Sequence, residues 1–303
     1  MEWKQKSQKV PLLPHDPTWE AQAQAWIARL ETALGGAADG SGEDVGAADG
    51  NTVDMIAEIR HVGATAVETL QARPILDIFI ALRFGDILPR VRRVLEREGF
   101  AAQPDKPGIF ARFLHQGRDE GTPMCSVSVV EAGGMAWRNA VNFAAYMRAF
   151  PQYAAEHNRQ KGALWAASAS EEAYNAGKAE LFAFSSRRAM VWSFLGLPVR
   201  VEIDRPVGYV HHKKNYTLTY PINYGYIPGV LGGDGEELDV YILGTNAPLT
   251  TFDGQIIAIV YREDDVEDKL VAAPPGVRLS AREIEDAIRF QEQYYHSHVE
   301  VLP

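Results

Sequence analysis

Four carboxylates fall within six positions of the sequence, directly after a glycine-rich turn. The stretch "LGGDGEELD" holds Asp234, Glu236, Glu237 and Asp239. Like charges this close together disfavour one another's ionisation. A metal ion, basic side chains or plain water can offset that cost. Because oxygen ligands from a turn suit hard cations such as Mg²⁺, the spacing indicates a candidate metal site.

A second acidic group follows about thirty residues later, in "REDDVEDK" at 262–269. It separates two predicted strands, so the two acidic groups would face one another if their strands were neighbours. Lys269 would then supply a cation for an anionic substrate. The first loop is not a calcium EF-hand, because it has no glycine at its sixth position and no closing glutamate. The sequence also contains no Walker loop, HExxH, GxSxG or GxGxxG motif.

The composition limits the classes of function. The chain has 303 residues, a net charge of −10, 46% hydrophobic and 23% charged residues, which is typical of a folded protein. The negative charge argues against general binding to nucleic acid or to an anionic membrane. A single cysteine, Cys125, allows no intramolecular disulfide, so we expect a cytoplasmic protein without a signal peptide or membrane span. Cys125 lies in an apolar run and is predicted to be buried and inert.

Residues 196–303 have the pattern of a mostly-β domain. Val199, Val201 and Ile203 alternate with charged residues, as in a half-buried strand. Further strand-like runs are "LDVYILG", "GQIIAIVYRE" and "KLVAAP". One helix follows, opened by the capping-box pair Ser280 and Glu283. The pattern predicts a small barrel with one C-terminal helix.

Residues 1–195 predict an α+β domain with a helical tail. A helix runs from Asp16–Pro17 to near Leu34, and a flexible acidic insertion, with GAADG twice, occupies 35–52. The predicted order after the insertion is strand, strand, helix, strand, strand and three helices. The corresponding ranges are 53–62, 74–82, 86–99, 109–114, 124–130 and 135–194.

The stretch "YPINYGYIPGVLGGDGEELDVYIL" at 220–243 resembles the signature of the soluble, magnesium-dependent inorganic pyrophosphatases. That family has YPxNYGYI followed by DGDPxDV on a β-barrel. The resemblance implies that Tyr220 and Tyr224 are active-site tyrosines and that Asp234 and Asp239 are metal ligands. It also implies that Lys269 binds phosphate.

The resemblance assigns further roles beyond the central motif. Glu236 replaces the family's middle aspartate and would take over its role of activating the water. The implied metal ligands include Glu202, Glu267 and either Asp264 or Asp265. The implied substrate-binding residues are Arg200, Tyr220, Tyr294 and one basic residue before the tyrosine motif. His212, Lys213 and Lys214 are open for that position, with Lys213 as the candidate.

The implied function is Mg²⁺-dependent hydrolysis of inorganic pyrophosphate or a related small diphosphate. Glu236, Asp239, Tyr224 and Lys269 would form the catalytic group. The alternative is a non-catalytic module that binds metal, phosphate or a partner. The resemblance leaves homo-oligomerisation open.

A second resemblance covers about residues 9–187. "IRHVGATAVETLQARPILDIFIAL" at 59–82 is similar to the GrpB family, also called UPF0157, which resembles the nucleotidyltransferase fold. In such transferases a glycine-serine turn approaches a triphosphate and paired carboxylates hold Mg²⁺. Here Ala64 replaces the serine, and Asp77 has no second acid two residues on. These losses predict a scaffold or binding domain without nucleotidyl transfer.

Overall fold

The computed structural model describes residues 10–35, 52–104, 106–116, 124–213 and 216–302. The chain divides into two compact units, Met1–Ser186 and Arg187–Pro303. The division falls inside a long helix, and the domain limits 1–195 and 196–303 stay a prediction. Within the described ranges, no helix combines the length and apolarity that a bilayer crossing needs.

The first unit contains a five-stranded mixed sheet. Its strands stand in the order β1-β2-β5-β4-β3, with β2 and β5 parallel and the other pairs antiparallel. The strands are β1 (Ile56–Val62), β2 (Ile75–Leu82), β3 (Ala101–Gln103), β4 (Ala111–His115) and β5 (Met124–Glu131). The helices before and among them are α1 (Thr18–Gly35), α2 (Thr52–Met55) and α3 (Leu88–Arg97).

One face of this sheet carries the apolar core. Leu76, Ile78 and Ile80 of β2 alternate inward and pack with Val127 of β5. α1 and α3 contribute the rest of the same core through buried residues such as Leu30 and Val91. Because strand side chains alternate between faces, the intervening residues of β2 and β5 project from the opposite face.

Three helices follow the sheet, as the sequence predicts. They are α4 (Met135–Ala149), α5 (Pro151–Ala167) and α6 (Glu171–Trp192). Ser170 accepts a hydrogen bond from the amide of Ala173 at 3.1 Å, which caps the first turn of α6.

The structure confirms one local prediction and corrects another. Asp16 caps α1, accepting a bond from the Thr18 amide at 2.8 Å, as predicted. The strand predicted from residue 53 begins only at Ile56, because 52–55 form the short helix α2. The acidic insertion predicted at 35–52 lies almost entirely outside the described residues.

The second unit is mostly β. Its strands are β6 (Pro198–Arg205), β7 (Val210–Lys213), β8 (Tyr216–Thr219), β9 (Asn223–Leu231), β10 (Glu237–Ile242), β11 (Thr251–Arg262), β12 (Lys269–Ala273) and β13 (Ser297–Val301). The main sheet has the order β12-β10-β9-β6-β11-β13, and β12 also pairs with β11. That extra pairing closes five strands into a barrel, which is the predicted architecture. β7 and β8 form a separate hairpin.

The barrel has an inner core and a covered outer face. Val240 and Ile242 of β10 point inward with Val201, Ile256 and Leu270. On the outer face, Tyr224 and Tyr241 pack with apolar residues of helix α7 (Ala281–Glu292), including Ile284 and Ile288. Both hydrogen bonds of the predicted Ser280–Glu283 capping box are formed. The tyrosines of the central motif therefore lie on the outer face, beside α7.

Cys125 provides a test of the first unit's packing. It is 0% exposed as the second residue of β5, and burial together with the Asp77 carboxylate holds the pKa of its thiol far above its ordinary value. A thiolate is the reactive form, so the native protein should not react with iodoacetamide at pH 8. Mass spectrometry should show full alkylation only after unfolding in denaturant. Rapid labelling of the folded protein would contradict this packing.

Candidate functional site

Lys269 is the central cation of the candidate site. It is the first residue of β12 and only 2% exposed. Its Nζ donates to Oδ2 of Asp239 at 2.5 Å and to Oε2 of Glu267 at 2.6 Å. β10 and β12 are parallel neighbours, so the residues that begin each strand meet at one edge. The sequence pattern predicts this contact between the two acidic segments.

The pKa values of the two carboxyl groups, Asp239 and Glu267, shift in opposite directions. Burial alone would raise the pKa of Asp239, but the Lys269 ammonium and the hydrogen bonds from Lys269 and Tyr224 together lower it. Burial raises the pKa of Glu267 to about 7, helped by the Asp239 charge and opposed by Lys269. One ammonium therefore balances one carboxylate, and the second carboxyl group keeps a proton near neutral pH.

The two tyrosines of the motif surround this group. Tyr224 is fully buried and donates its hydroxyl to Oδ2 of Asp239 at 2.5 Å. Its pKa is raised well above the ordinary value, first by burial and then by Asp239, so it remains a neutral donor. The Tyr220 and Tyr224 rings are in contact, with centres 5.4 Å apart.

Arg205 is a functional candidate that the sequence analysis missed. It ends β6 and donates Nη1 to the Tyr220 hydroxyl at 2.7 Å. Its guanidinium lies 5.0 Å from the centre of the Tyr224 ring. Asp204 lies beside it, and burial together with the Asp239 charge raises the pKa of Asp204. A signal for Arg205 was present in "EIDRP", because the strand pattern of β6 continues past Ile203 and reaches this residue.

The two acidic loops pack directly against each other. Oδ1 of Asp234 and Cγ of Glu267 lie 3.5 and 3.6 Å from the position that a methyl group on Gly232 would occupy. Such a methyl group on the next residue, Gly233, would lie 1.7 Å from the carbonyl oxygen of Val266. Asp234 is thus placed on the same side as Glu267, although its side chain is exposed.

The remaining predicted ligands lie farther from Lys269. Glu202 shares a cross-strand row with Asp239, but Tyr226 stands between them and donates to Glu202 at 3.0 Å. Two strand spacings separate the backbones of these two residues by roughly 10 Å. Asp264 accepts a bond from the His296 amide at 2.9 Å, and Asp265 pairs with Arg262 at 2.9 Å. Their roles as metal ligands stay predictions.

The other predicted residues whose side chains the structure describes are exposed. Arg200 pairs with Asp253 at 3.2 Å on the barrel surface. Tyr294 is 64% exposed after the end of α7, and Glu236 is exposed in its loop. The side chain of Lys213 lies outside the described part of the structure. Their assignments as substrate-binding or catalytic residues stay predictions.

The donor set can be tested against a divalent metal ion. Asp239, Glu267 and Asp234 offer carboxylate oxygens, which Mg²⁺ prefers. Burial, helped by the Asp239 charge, raises the pKa of Glu267, and a cation bound beside it would favour the ionised carboxylate. The chemistry of these groups therefore fits the ion. Within the described residues, however, no three acidic, histidine or cysteine side chains converge as a formed metal shell.

Comparison with known proteins follows the division of the chain. The GrpB protein family model matches residues 9–188, more than half of the sequence. The chain belongs to the GrpB family. The inorganic pyrophosphatase family model matches residues 195–298. The chain is therefore a GrpB domain followed by an inorganic pyrophosphatase domain.

The curated relatives match the pyrophosphatase domain. An inorganic pyrophosphatase of Mesorhizobium japonicum is 29% identical over 120 residues, covering 35% of this chain and 68% of the relative. One from Agrobacterium fabrum is 34% identical over 92 residues, covering 29% of this chain and 52% of the relative. The chain spans about half the length of the second relative and of other inorganic pyrophosphatases that it matches.

Solved structures resemble each domain separately. Conserved protein GrpB from Enterococcus faecalis has a TM-score of 0.46 at 16% identity, covering 59% of this chain and 99% of its own. Inorganic pyrophosphatase from Ehrlichia chaffeensis has a TM-score of 0.28 at 16% identity, covering 35% of this chain and 87% of its own.

The proton on Glu267 predicts how metal binding depends on pH. A carboxyl group must lose its proton to bind a metal ion, and the pKa of Glu267 is about 7. Metal affinity should therefore rise as pH increases from 6 to 8. The measurement is the Mg²⁺ concentration that gives a half-maximal rise in melting temperature at each pH. In Glu267→Gln this pH dependence should disappear, and an unchanged dependence would contradict the assignment.

The close packing at Gly233 allows a second test, in which a methyl group is added to this residue. In Gly233→Ala the new methyl group meets the Val266 carbonyl and Cδ of Arg187, which forces the two acidic loops apart. A displacement of about 1 Å can reduce activity by about a hundredfold, so any pyrophosphate hydrolysis that depends on this site should fall by that order. Gly162→Ala is the matched control, because a methyl group there meets nothing within 4 Å. Equal activity of both variants would show that the loop contact is not needed.

Proposed function

We propose that the pyrophosphatase domain hydrolyses inorganic pyrophosphate, or a related small diphosphate, with Mg²⁺. One observation carries the proposal. The acids Asp239 and Glu267 adjoin the cations Lys269 and Arg205 around the Tyr224 ring. A diphosphate held with its metal needs both kinds of charge close together. The match of residues 195–298 to the inorganic pyrophosphatase family supports the same reaction.

Asp234, Asp239 and Glu267 would hold the metal, with Glu202 and the 264–265 acids as outer candidates. Bound Mg²⁺ would supply a Lewis acid that lowers the pKa of water. Glu236 would serve as a proton acceptor, since its exposed carboxylate lies two residues from Asp234 on the same loop.

One buried and one half-buried cation, Lys269 and Arg205, would bind the substrate. Lys269 is already desolvated, and its ammonium can turn from Asp239 or Glu267 toward a phosphate oxygen once a metal balances these acids. Arg205 is held in place by the Tyr220 hydroxyl and by the Tyr224 ring. A preorganised guanidinium binds phosphate oxygens in pairs and stabilises charge that develops on the leaving phosphate. Arg200, Lys213 and Tyr294 would bind outer substrate oxygens.

A non-catalytic metal- or phosphate-binding module is the second candidate. The glutamate at position 236 favours it, because an extra methylene displaces the carboxylate that would activate the water. In that alternative, the GrpB domain would serve as a scaffold for the binding module. The two candidates differ in turnover, while both bind metal.

Asp239→Asn provides the decisive measurement. Asparagine keeps the shape but removes the charge that faces Lys269 and the metal. Phosphate release from pyrophosphate should fall by about a hundredfold or more, since even residues that only orient a metal ligand contribute up to that order. The assay is a Mg²⁺ titration of phosphate release by wild type and variant.

Asp286→Asn is the matched control, because Asp286 is an exposed residue of α7 that pairs with Arg289. It should retain wild-type turnover. If the wild type binds Mg²⁺ and pyrophosphate but releases no phosphate, the binding module replaces the hydrolase. If Asp239→Asn keeps full turnover, the site has been placed wrongly.

A further inference from the structure

The end of helix α6 packs on the barrel, although it precedes the residues that match the pyrophosphatase family. That match begins at residue 195, and α6 ends at Trp192. Val191 is 1% exposed and belongs to the barrel core, and Met190 and Trp192 pack against the same core. Residues four apart share a face of a helix, so Arg187 lies on the same side of α6 as Val191. The helix end therefore brings Arg187 to the barrel, in the same compact unit.

Each of the two acidic loops is closed by a hydrogen bond of its own. In the first acidic loop, residues 232–236, the amide of Gly232 donates to the carbonyl oxygen of Glu236 at 2.7 Å. In the second acidic loop, residues 263–268, Oδ1 of Asp268 accepts a bond from the amide of Arg262 at 3.1 Å. These bonds fix the shape of each loop, and the placement of one loop against the other depends on further contacts.

Arg187 contacts both acidic loops. Its Nε donates to Oδ2 of Asp268 in the second loop at 3.2 Å. Its Cδ lies 2.6 Å from the position that a methyl group on Gly233 would occupy, so its stem packs closely on the first loop. The ion pair is sheltered from water, since the side chain of Arg187 is 13% exposed and that of Asp268 is 0% exposed. Arg187 therefore joins the two loops.

Asp268 connects this contact to the Lys269 group. It stands between Glu267 and Lys269 in the sequence, and side chains alternate between the two faces of an extended segment. Glu267 and Lys269 pair with each other at 2.6 Å, while Asp268 pairs with Arg187. A buried carboxylate that loses its cation is strongly destabilised, so Asp268 would shift without Arg187. Its two neighbours would shift with it, because they share its backbone.

We propose that Arg187 is a positioning residue, which holds the acidic loops so that the carboxylates of Asp234 and Glu267 stay on one side for a divalent cation. The inference rests on the proposed function, since that cation belongs to the proposed site. Arg187 lies within the GrpB family match, 9–188, and outside the pyrophosphatase match, 195–298. The pyrophosphatase site would thus depend on a residue from the helix that precedes its own family match.

The test compares Arg187→Gln with Arg187→Lys in the full-length chain, in EDTA. The readout is hydrogen–deuterium exchange in peptides covering residues 230–238 and 262–268, which requires no turnover. In Arg187→Gln, exchange in both peptides should rise by about tenfold or more, the effect of losing one hydrogen bond to a charged group. Arg187→Lys keeps the stem and the charge and should retain most of the protection. Unchanged exchange in Arg187→Gln would overturn the inference.

Arg188→Gln is the matched control. Arg188 is the next residue of α6, is 5% exposed, and pairs with Glu263 at 2.8 Å. Its loss weakens the helix end but leaves Arg187 in place, so exchange in the 230–238 peptide should not rise. An equal rise in Arg187→Gln and Arg188→Gln would overturn the inference, because the effect would then be a general loosening of the barrel.

Asp268→Asn tests the ion pair from its other side. It should raise exchange in the same two peptides as Arg187→Gln does. The double variant should add little to either single change, because both remove one interaction. Fully additive effects would contradict the assigned pairing.

Phosphate release separates this inference from the proposed function. Beside an active wild type, Arg187→Gln should lower kcat by about a hundredfold, since misplacement by about 1 Å has that effect, and Arg187→Lys should restore it. Full turnover by Arg187→Gln would contradict the inference alone. A wild type that releases no phosphate would contradict the proposed function alone, because the exchange measurement decides by itself how the loops are held.

Discussion

The ion pairing of Lys269 with Asp239 and Glu267 is the constraint on which the pyrophosphatase domain depends. A buried ammonium is stable only with a carboxylate partner, and the two acids need a cation in turn. The parallel pairing of β10 with β12 brings them to one edge. The direct contact of the Gly233 and Val266 backbones then aligns the acidic loops. The fold therefore supplies a compact set of charges before any metal or substrate is bound.

Burial and charge act together at the Lys269 group. Asp239 and Glu267 share one ammonium, and burial raises the pKa of Glu267 to about 7, helped by the Asp239 charge. A divalent cation bound to both carboxylates would favour their ionised forms. The group is therefore suited to a positively charged ligand.

Aromatic rings make the pyrophosphatase site rigid. Tyr220, Tyr224 and Tyr241 lie on the outer face of the barrel and pack against α7, whose capping box fixes its first turn. Tyr241 donates to Glu292, which also binds the buried Arg262. Arg262 also donates to Asp265 at 2.9 Å, so this acid of the loop is paired with a buried arginine. An acidic residue of such a loop, here Asp265, can therefore stabilise the fold by pairing with an arginine.

The sequence by itself determined the two-domain composition, the barrel with its C-terminal helix, and the central motif residues, because these depend on local periodicity and on spacing within one segment. Tertiary structure alone decided which charges meet. Glu267 and Asp239 are 28 residues apart in sequence, yet strand pairing places both on Lys269. Arg205 reaches Tyr220 because β6 runs beside β9. Such encounters depend on long-range pairing and burial, which no spacing in the sequence records.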